Sequence, residues 1–407
     1  MIKFPSSFFW GAATSSYQVE GANVHSDWWE WERRVGFKVP CGNACRHYDL
    51  YKEDFDLAKQ LGHNAHRLSI EWSRIEPEEG RFLPKELEHY RDVIIALRER
   101  GIEPIITLHH FTNSLWFAKL GGWYNKNSYK YFLRYVKKVT EFLCENARFW
   151  VTINEPMVYA YHAYILGAWP PQEKSFLRAS RVVDNLAFSH IKAYRLINDV
   201  YKERKLSRPS IGIAKNMQAF EPCKDTLKNR VAVHLRDRLF NFSFIDKLIK
   251  HQALDFIGMN YYTRSLVEVK KWHFRNLFLD VCEENHSQLK KNSLGWDIYP
   301  QGLYSLLLAL KKYNLPIFIL ENGICTQDDT LRWDFICQHL KSLHLAIKEG
   351  VNVLGYIYWS LIDNFEWAQG FSPRFGLIEV DYNTYNRKIR ESARKFARVC
   401  KTGALDM

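Results

Sequence analysis

The segment RFWVTINEP, residues 148–156, decides the fold of this chain. It opens with aromatic and β-branched residues that do not alternate with polar ones, a pattern typical of a parallel strand buried on both faces. The run ends in Asn154 and Glu155, and Pro156 then stops strand pairing because it has no backbone N–H. A buried strand that delivers polar side chains at its carboxyl end is the repeating unit of an α/β barrel.

The same pattern recurs along the chain. Seven further segments predict buried strands: 8–14, 64–70, 103–110, 209–215, 254–262, 316–322 and 354–360. Helical periodicity lies between them. In one such stretch the apolar residues Leu87, Tyr90, Ile94 and Leu97 recur every three or four positions before Gly101. Similar stretches cover 129–146, 180–205, 300–313 and 332–349, whereas 265–295 shows no clean periodicity.

Eight strands alternating with helices favour one closed barrel over two separate domains. The 407 residues contain no Ser/Gly/Pro-rich linker and no break in composition, and 47% of them are hydrophobic, enough for a large core. The sequence therefore predicts an α/β protein, a (β/α)8 TIM barrel, with residues 1–407 forming a single catalytic domain.

Composition argues against several other classes of protein. No apolar run reaches the roughly 20 residues that a membrane-spanning helix needs, and the N-terminal segment lacks a secretory signal, so we expect a cytoplasmic protein. The formal charge is +12, but Lys and Arg are interspersed with Asp and Glu throughout. Short basic stretches such as KKWHFR (270–275) are more typical of a solvated face than of a nucleic-acid site, so no nucleic-acid partner is expected.

The eight cysteines are few for this length and scattered. This distribution favours reduced thiols over a disulfide framework. Cys41 and Cys45 are the only close pair, and no second Cys/His pair with zinc-like spacing accompanies them, so no metal site is expected there.

Polar and aromatic residues occupy the predicted strand ends, which in a barrel all open onto one mouth. They are His109, His110, Asn154, Glu155, Tyr261, Tyr262, Glu321, Asn322 and Trp359. Glu155 and Glu321 end strands four and seven, so they can meet across the cavity despite their distance in sequence. Two carboxylates facing each other in a pocket with aromatic walls are what glycoside hydrolysis requires.

Five segments in this order resemble glycoside hydrolase family 1, the retaining β-glucosidase and β-galactosidase family. They are FFWGAATSSYQVEG (8–21), TINEP (152–156), NYY (260–262), LENGI (320–324) and WSLIDNFEWA (359–368). The resemblance covers nearly the whole chain. It implies hydrolysis of terminal β-linked glucose, galactose or a related sugar from small glycosides or oligosaccharides, through a covalent glycosyl-enzyme and without metal or organic cofactor.

The resemblance also implies a role for each matching residue. Glu155 becomes the general acid/base and Glu321 the nucleophile, while Asn154 binds the sugar 2-hydroxyl. Trp359 forms the platform beneath the ring, and a cis peptide is implied between Trp359 and Ser360. The other hydroxyls are assigned to Gln18, His110, Glu366 and Trp367, and the groups flanking the nucleophile to Arg67 and Tyr262.

Strand geometry adds one expectation of its own. Neighbouring residues on a regular strand point to opposite faces, so Asn154 and Glu155 can both reach the mouth only if the pleat is distorted there.

Three departures from the family pattern accompany the resemblance. Phe111 stands where the family usually has Trp, and Leu320 stands where it has Thr or Ser; on a regular strand Leu320 should point away from the pocket. The chain is also short between 216 and 315, which leaves the aglycone preference open.

The sequence alone allows four other interpretations of the function. A metal-dependent hydrolase built on His109 and His110 is disfavoured because adjacent strand residues diverge. A 6-phospho-β-glycosidase is disfavoured because Glu366 would repel a sugar phosphate. A non-catalytic sugar-binding barrel and a transglycosylating member of the family stay as alternatives. The glycone and the oligomeric state are not decided.

Overall fold

The computed structural model describes residues 1–270, 281–282 and 287–406. Eight parallel strands form a closed barrel in chain order, and the last strand pairs with the first. They are β1 (Phe9–Ala13), β2 (Ala65–Ser69), β3 (Glu103–Thr107), β4 (Phe149–Asn154), β5 (Ser210–Pro222), β6 (Phe256–Val267), β7 (Ile317–Asn322) and β8 (Val353–Trp359). The predicted fold and all eight predicted strands are confirmed. Residues 271–280 and 283–286 of the 265–295 stretch, and with them nearly all of KKWHFR, lie outside the described residues.

At least one α-helix follows every strand, as the (β/α)8 pattern requires. The α-helices are Ser16–Glu20, Asp27–Arg34, His47–Gln60, Trp72–Ile75, Pro84–Glu99, Leu115–Lys119, Ser128–Leu143, Pro156–Ala160, Phe176–Glu203, Leu227–Arg236, Ser243–Lys250, Pro300–Leu310, Asp329–Lys348 and Glu391–Thr402. Single turns of 3₁₀-helix span Gly122–Tyr124, Cys144–Asn146, Lys311–Tyr313 and Trp367–Gln369, and π-helices span Tyr161–Leu166 and Asp237–Phe242.

Local signals explain where several helices begin and end. Pro84 occupies the first turn of its helix, where the missing N–H costs nothing, and the chain leaves that helix through Gly101 at φ 72°. The Ser175 side chain accepts from the Arg178 N–H, and the Asp328 side chain accepts from the Thr330 and Leu331 N–H groups. These caps fix the first turns of the long helices Phe176–Glu203 and Asp329–Lys348.

The barrel interior is filled by apolar side chains from all eight strands, including Phe149, Phe256 and Phe318. Leu320 belongs to this interior cluster and is fully buried. It alternates regularly with Phe318 and points into the packed interior below the cavity, so it faces away from the pocket as expected; the register shift between Ile319 and Asn322 lets the next residue, Glu321, reach the cavity. Leu320 is absent from the walls of the cavity described below.

Two small sheets lie outside the barrel. Ile2–Lys3 pairs antiparallel with Ala404–Leu405, and Ile378–Val380 pairs antiparallel with Arg387–Ile389. The first pairing joins the two ends of the described chain.

One pair of cysteines forms a disulfide, whereas the sequence predicts reduced thiols throughout. Cys223 and Cys282 are joined by a disulfide, with their Cα atoms 6.0 Å apart, whereas six other cysteines are free. The pairing arises because both residues hydrogen-bond to the same stretch of β6: the Cys223 N–H donates to the Val267 carbonyl and the Cys282 N–H to the Leu266 carbonyl. The prediction of reduced thiols is therefore wrong for this pair. Cys41 and Cys45 are buried and contact backbone carbonyls.

Among the described residues, no helix is both long enough and apolar enough to cross a membrane.

Candidate active site

A cavity of about 1420 Å³ opens at the carboxyl ends of the barrel strands. Nine of the ten predicted site residues line it: Gln18, His110, Asn154, Glu155, Tyr262, Glu321, Trp359, Glu366 and Trp367. The tenth, Arg67, is buried in the wall and contacts Glu321 and Asn154. The structure therefore brings the whole predicted set together.

Glu155 reaches the cavity through an irregular backbone. The pairing of β4 with β5 shifts register between Val151 and Asn154, and Glu155 itself adopts a left-handed conformation, φ 44° and ψ 59°. Its N–H donates to the Ala214 carbonyl at 2.7 Å, and Pro156 begins the next helix. The expected distortion of the pleat is confirmed, and it allows Asn154 and Glu155 to face the same side.

The Glu155 carboxyl group is buried among neutral donors. Its Oε1 accepts from Asn260 Nδ2 at 2.8 Å and from Asn216 Nδ2 at 3.2 Å. Burial, followed by the nearby Glu321 carboxylate, raises the pKa of Glu155 to about 7, and the two amide hydrogen bonds only partly oppose this. Glu155 can therefore hold a proton near neutral pH.

Glu321 has the opposite surroundings. Arg67 forms a buried ion pair with Oε1, and the Tyr262 hydroxyl donates to Oε2 at 2.5 Å. A cation and a hydroxyl donor both favour the ionised carboxylate. The two glutamates therefore have different partners: neutral amides for Glu155, and a cation with a hydroxyl donor for Glu321.

Gly323 lies in the turn after Glu321, where the backbone packs tightly against the end of β8. A Cβ atom at this position would lie 1.8 Å from the Trp359 carbonyl oxygen, so only glycine allows this approach. The ends of β7 and β8, which carry Glu321 and Trp359, are held together here.

Hydrogen bonds from Arg67 fix the orientation of two further site residues. Arg67 donates to Asn154 Oδ1 at 2.6 Å, so the Asn154 amide nitrogen must face His110, where it donates to Nε2 at 3.2 Å. Burial, with the nearby Arg67 charge, lowers the pKa of His110 well below its usual value. His110 is therefore neutral and carries its proton on Nδ1, which is buried without a hydrogen-bond partner in the described chain.

Gln18 and Glu366 form a pair of polar side chains on another wall of the cavity. Gln18 Nε2 donates to the Phe365 carbonyl at 2.8 Å, to Asn364 Oδ1 at 3.0 Å and to Glu366 Oε2 at 3.3 Å. The Gln18 Oε1 atom is buried without a partner among the described residues. Burial, followed by repulsion from Glu321 and Glu155, raises the pKa of Glu366 to about 8.

Aromatic rings complete this end of the cavity. Trp359 lies parallel to the His110 ring at 6.0 Å, and the peptide between Trp359 and Ser360 is cis, as the resemblance implies. Trp367 stacks on Tyr17 at 5.9 Å and contacts Phe111 at 5.2 Å. Phe111 therefore occupies the position of the usual Trp by packing its ring against Trp367.

The sequence analysis missed three residues around Glu155. Asn216 and Asn260 donate hydrogen bonds to the Glu155 carboxyl group. Lys215 precedes Asn216 in the chain and is fully buried, with its Nζ atom 4.2 Å from the Phe240 ring centroid. Burial lowers the pKa of Lys215 to about 7, against the opposing charge of Glu155. Asn260 was visible in the NYY segment, but Asn216 and Lys215 carried no distinct signal.

The described residues bring three His, Cys, Asp or Glu ligand atoms close enough to share a metal ion at one place. The one described cluster of His, Cys, Asp or Glu ligand atoms is Cys223, Glu268 and Cys282, whose two sulfurs are bonded to each other. His109 instead contacts Asn113 and Trp123. The chemistry available in the cavity is that of paired carboxylates.

A closed (β/α)8 barrel with one amide-bound and one ion-paired carboxyl group at the ends of β4 and β7 is the arrangement of a glycoside hydrolase. The sequence profile described as glycosyl hydrolase family 1 matches residues 1–252 and 235–404. The chain belongs to that family, and the resemblance noted from the sequence is confirmed.

Known relatives agree with this assignment. β-Glucosidase A of Thermotoga maritima is 32% identical, with 99% of each chain covered. The structure of a β-glycosidase from Pyrococcus horikoshii superimposes with a TM-score of 0.93 at 41% identity, covering 100% of this chain and 96% of the other. The T. maritima β-glucosidase in complex with castanospermine superimposes with a TM-score of 0.92 at 32% identity, covering 100% of both chains.

Proposed function

We propose that this protein is a retaining β-glycosidase that releases a terminal β-linked sugar, glucose, galactose or a related hexose, from small glycosides or oligosaccharides. The observation that carries the proposal is the contrast between Glu155, buried among amides, and Glu321, paired with Arg67 and Tyr262. Two carboxyl groups with opposite protonation states are the requirement of the double-displacement reaction.

Glu321 is the proposed nucleophile. Its ionised carboxylate attacks the anomeric carbon, and the bond from that carbon to the aglycone oxygen breaks as the glycosyl-enzyme ester forms. Arg67 and Tyr262 hold Oε1 and Oε2, so they orient the carboxylate as well as keeping it ionised.

Glu155 is the proposed general acid and base. It transfers its proton to the departing aglycone oxygen in the first step. In the second step its carboxylate takes a proton from water, which attacks the anomeric carbon and releases Glu321. Asn216 and Asn260 keep the Glu155 carboxyl group in place during both steps.

Unpartnered polar atoms around the carboxylates fit the hydroxyls of a sugar. His110 Nδ1 is a donor and Gln18 Oε1 is an acceptor, and buried polar atoms of this kind normally have partners. Asn154, Glu366 and Trp367 are proposed to bind the remaining hydroxyls, with the Trp359 ring beneath the sugar. We also propose that residues 1–407 form a single catalytic domain without metal or organic cofactor.

The phosphoglycosidase alternative has one relative in its favour, because a 6-phospho-β-galactosidase of Clostridium acetobutylicum is 30% identical, with 98% of this chain and 97% of the other covered. A phosphate group normally requires Arg or Lys donors. This wall instead carries Gln18, whose Nε2 donates to Asn364, to the Phe365 carbonyl and to Glu366. The unphosphorylated sugar is therefore the better fit.

The test of this proposal is the stereochemistry of the first product. Proton NMR during hydrolysis of an aryl β-glycoside should show the β-anomer first, followed by slow mutarotation. Two carboxyl groups in a retaining enzyme lie roughly 5–5.5 Å apart, so a crystal structure should show that separation between Glu155 and Glu321. Initial release of the α-anomer would overturn the retaining mechanism.

A further inference from the structure

A buried carboxylate at the end of β2 connects the segments that carry two of the proposed sugar-binding residues. Glu71 is fully buried and follows the strand Ala65–Ser69. It is not among the described residues that line the cavity, so it does not contact a substrate itself. In the barrel β2 lies between β1 and β3, and the segments after those two strands carry Gln18 and His110.

Glu71 accepts hydrogen bonds from both of these segments. The Ser16 hydroxyl, after β1, donates to Glu71 Oε2 at 3.1 Å. The Thr112 hydroxyl, after β3, donates to the same oxygen at 2.9 Å and lies 3.2 Å from Oε1. Both donors are buried, so these contacts are shielded from water. One carboxylate therefore ties together the ends of three neighbouring strands.

On the β1 side the tie holds the short helix that carries Gln18. Ser16 begins the helix Ser16–Glu20, its N–H donates to Ser69 Oγ at 2.8 Å, and Ser69 Oγ donates to Ser16 Oγ at 2.9 Å. The first turn is thus fixed to β2 through its backbone and its side chain. Gln18 lies two residues further on, so the direction of its unpartnered Oε1 depends on how this helix is held.

On the β3 side the tie holds an unfavourable turn. Phe111 lies between His110 and Thr112 and has a left-handed backbone, φ 71°, which bulky residues adopt only where their surroundings enforce it. The Thr112 N–H closes the turn by donating to the His110 carbonyl at 2.9 Å. The hydrogen bonds from Thr112 to Glu71 anchor this turn and, with it, the His110 ring.

Helix capping alone does not account for the contacts of Glu71. Its Oε1 atom caps the helix Trp72–Ile75 by accepting from the Ser73 N–H at 3.3 Å and from the Ser73 hydroxyl at 2.7 Å. A cap needs one acceptor atom, and the shorter Ser, Asn or Asp supplies it equally well. The second oxygen of Glu71 instead accepts from Ser16 and Thr112, which belong to other elements.

We infer that Glu71 is a positioning residue for sugar recognition, whose carboxylate fixes Gln18 and His110 relative to each other and so sets which arrangement of hydroxyls the site accepts. This inference rests on the proposed glycosidase activity. A displacement of about 1 Å is enough to weaken hydrogen bonds that tighten in the transition state. Loss of Glu71 should therefore act through the hydroxyls that Gln18 and His110 bind.

The test is a panel of dinitrophenyl β-glycosides of the best-hydrolysed sugar, either complete or lacking its 3-, 4- or 6-hydroxyl. Gln18→Leu and His110→Phe first identify the hydroxyls that these side chains bind, because each variant should lose least with a substrate that lacks its hydroxyl. Glu71→Met should lower kcat/KM for the complete glycoside about ten- to hundred-fold, the effect of two hydrogen bonds. For glycosides lacking those hydroxyls the loss should be about five-fold smaller.

Two milder variants test each side separately and remain informative if Glu71→Met does not fold. Ser16→Ala removes the hydroxyl on the Gln18 side, and Thr112→Val removes the one on the His110 side while keeping the shape of the side chain. Each should lower kcat/KM for the complete glycoside about two- to ten-fold. Ser16→Ala should show the substrate pattern of Gln18→Leu, and Thr112→Val that of His110→Phe.

The matched control is Glu76→Gln, because Glu76 is also fully buried and lies in the same segment as Glu71. Its side chain accepts from Trp72 Nε1 at 2.9 Å and from the Gly80 N–H at 2.8 Å, and it pairs with Arg134. The control should lower the Tm without changing the relative kcat/KM values across the panel. Glu71→Gln should lose less than Glu71→Met, because hydroxyls can rotate to accept from the new amide.

The outcomes distinguish this inference from the proposed function. If Glu71→Met, or both single-hydroxyl variants where it does not fold, lowers kcat/KM by the same factor for every glycoside of the panel, Glu71 is only structural. The inference is then wrong and the glycosidase activity stands. Unchanged kcat/KM values in these variants would also contradict it. If the unaltered, folded protein hydrolyses no aryl β-glycoside, both the inference and the proposed function are wrong.

Discussion

At the scale of single residues, the proposed function depends on the different surroundings of Glu155 and Glu321. Glu155 is 6% exposed and Glu321 is 4% exposed, so burial alone does not distinguish them. The difference comes from partners: amides for Glu155, and Arg67 with Tyr262 for Glu321. The positions of both carboxylates could be predicted from the sequence because strand ends in a barrel share one mouth. The amides of Asn216 and Asn260 could not, because their contacts depend on side-chain directions at irregular strand ends.

Glu155→Gln should separate substrates by their leaving groups. Loss of the proton donor should lower kcat/KM by about 10²–10⁴-fold for alkyl glycosides, which need protonation, and far less for dinitrophenyl glycosides. Steady-state kinetics on the two classes measures the difference, and azide should restore turnover by attacking the glycosyl-enzyme. Equal losses on both classes would remove Glu155 from the acid/base role.

The alkaline limb of the pH profile should report Glu155. Its pKa is raised to about 7 by burial and by Glu321, and the acid must be protonated to act, so kcat/KM falls as pH rises through that value. Protonated Lys215 favours the Glu155 carboxylate, so its removal should raise the pKa of Glu155.

Lys215→Met should therefore move the alkaline limb upward by about half a pH unit. Lys312→Met is the matched control, because the Lys312 Nζ atom lies over the Phe242 ring at 3.9 Å as Lys215 lies over the Phe240 ring. A limb unchanged in Lys215→Met, with the protein folded, would contradict the coupling.

At the scale of elements, strand positions were predictable and their irregularities were not. Periodicity located all eight strands, yet β5 and β6 continue as a paired ribbon to Pro222 and Val267. Residues in that extension are mostly half-buried, so they lack the apolar run that marks a barrel strand. The Cys223–Cys282 disulfide follows this ribbon and was missed for the same reason. Register shifts at Asn154, Asn260 and Asn322 likewise leave no clear mark in the sequence.

Gly323→Ala tests the junction between β7 and β8. The added Cβ atom would meet the Trp359 carbonyl oxygen at 1.8 Å, so the turn after Glu321 must move. We expect a loss of about 1–3 kcal/mol in the free energy of unfolding and at least a ten-fold lower kcat. Thermal unfolding and aryl-glycoside kinetics measure the two effects, and full activity with an unchanged Tm would show that the contact relaxes freely.

At the scale of the whole molecule, one barrel supplies every group that the proposed reaction uses. The proposed site draws on residues from Gln18 to Trp367, and the sequence profile of the family extends from residue 1 to residue 404. The fold class and the ring of polar strand ends were predictable because a closed barrel fixes where strand ends lie. The size of the cavity required the structure, since helix irregularities and loop positions create it.

Exhaustive removal of metal ions by chelators should leave the glycosidase activity unchanged. Paired carboxylates supply both proton transfer and covalent catalysis, so no metal is required for the proposed steps. Activity on an aryl β-glycoside is measured before and after treatment with EDTA and phenanthroline, with circular dichroism to show that the protein stays folded. Loss of activity in the folded protein, restored by a divalent metal, would contradict this expectation.

The pairing of β1 with β8 bears on how the protein forms during synthesis. Phe9–Ala13 can pair with Val353–Trp359 only after that strand has been synthesised, and Ile2–Lys3 can pair only after Ala404–Leu405 has been synthesised. Until then β1 can pair on one side only, and Gln18 lacks its contacts with Asn364 and Glu366. Unpaired strand edges on a nascent chain favour aggregation. Ring closure, and with it the proposed sugar site, therefore has to wait until Val353–Trp359 has been synthesised, and the open strand edge of β1 is exposed to neighbouring chains until then.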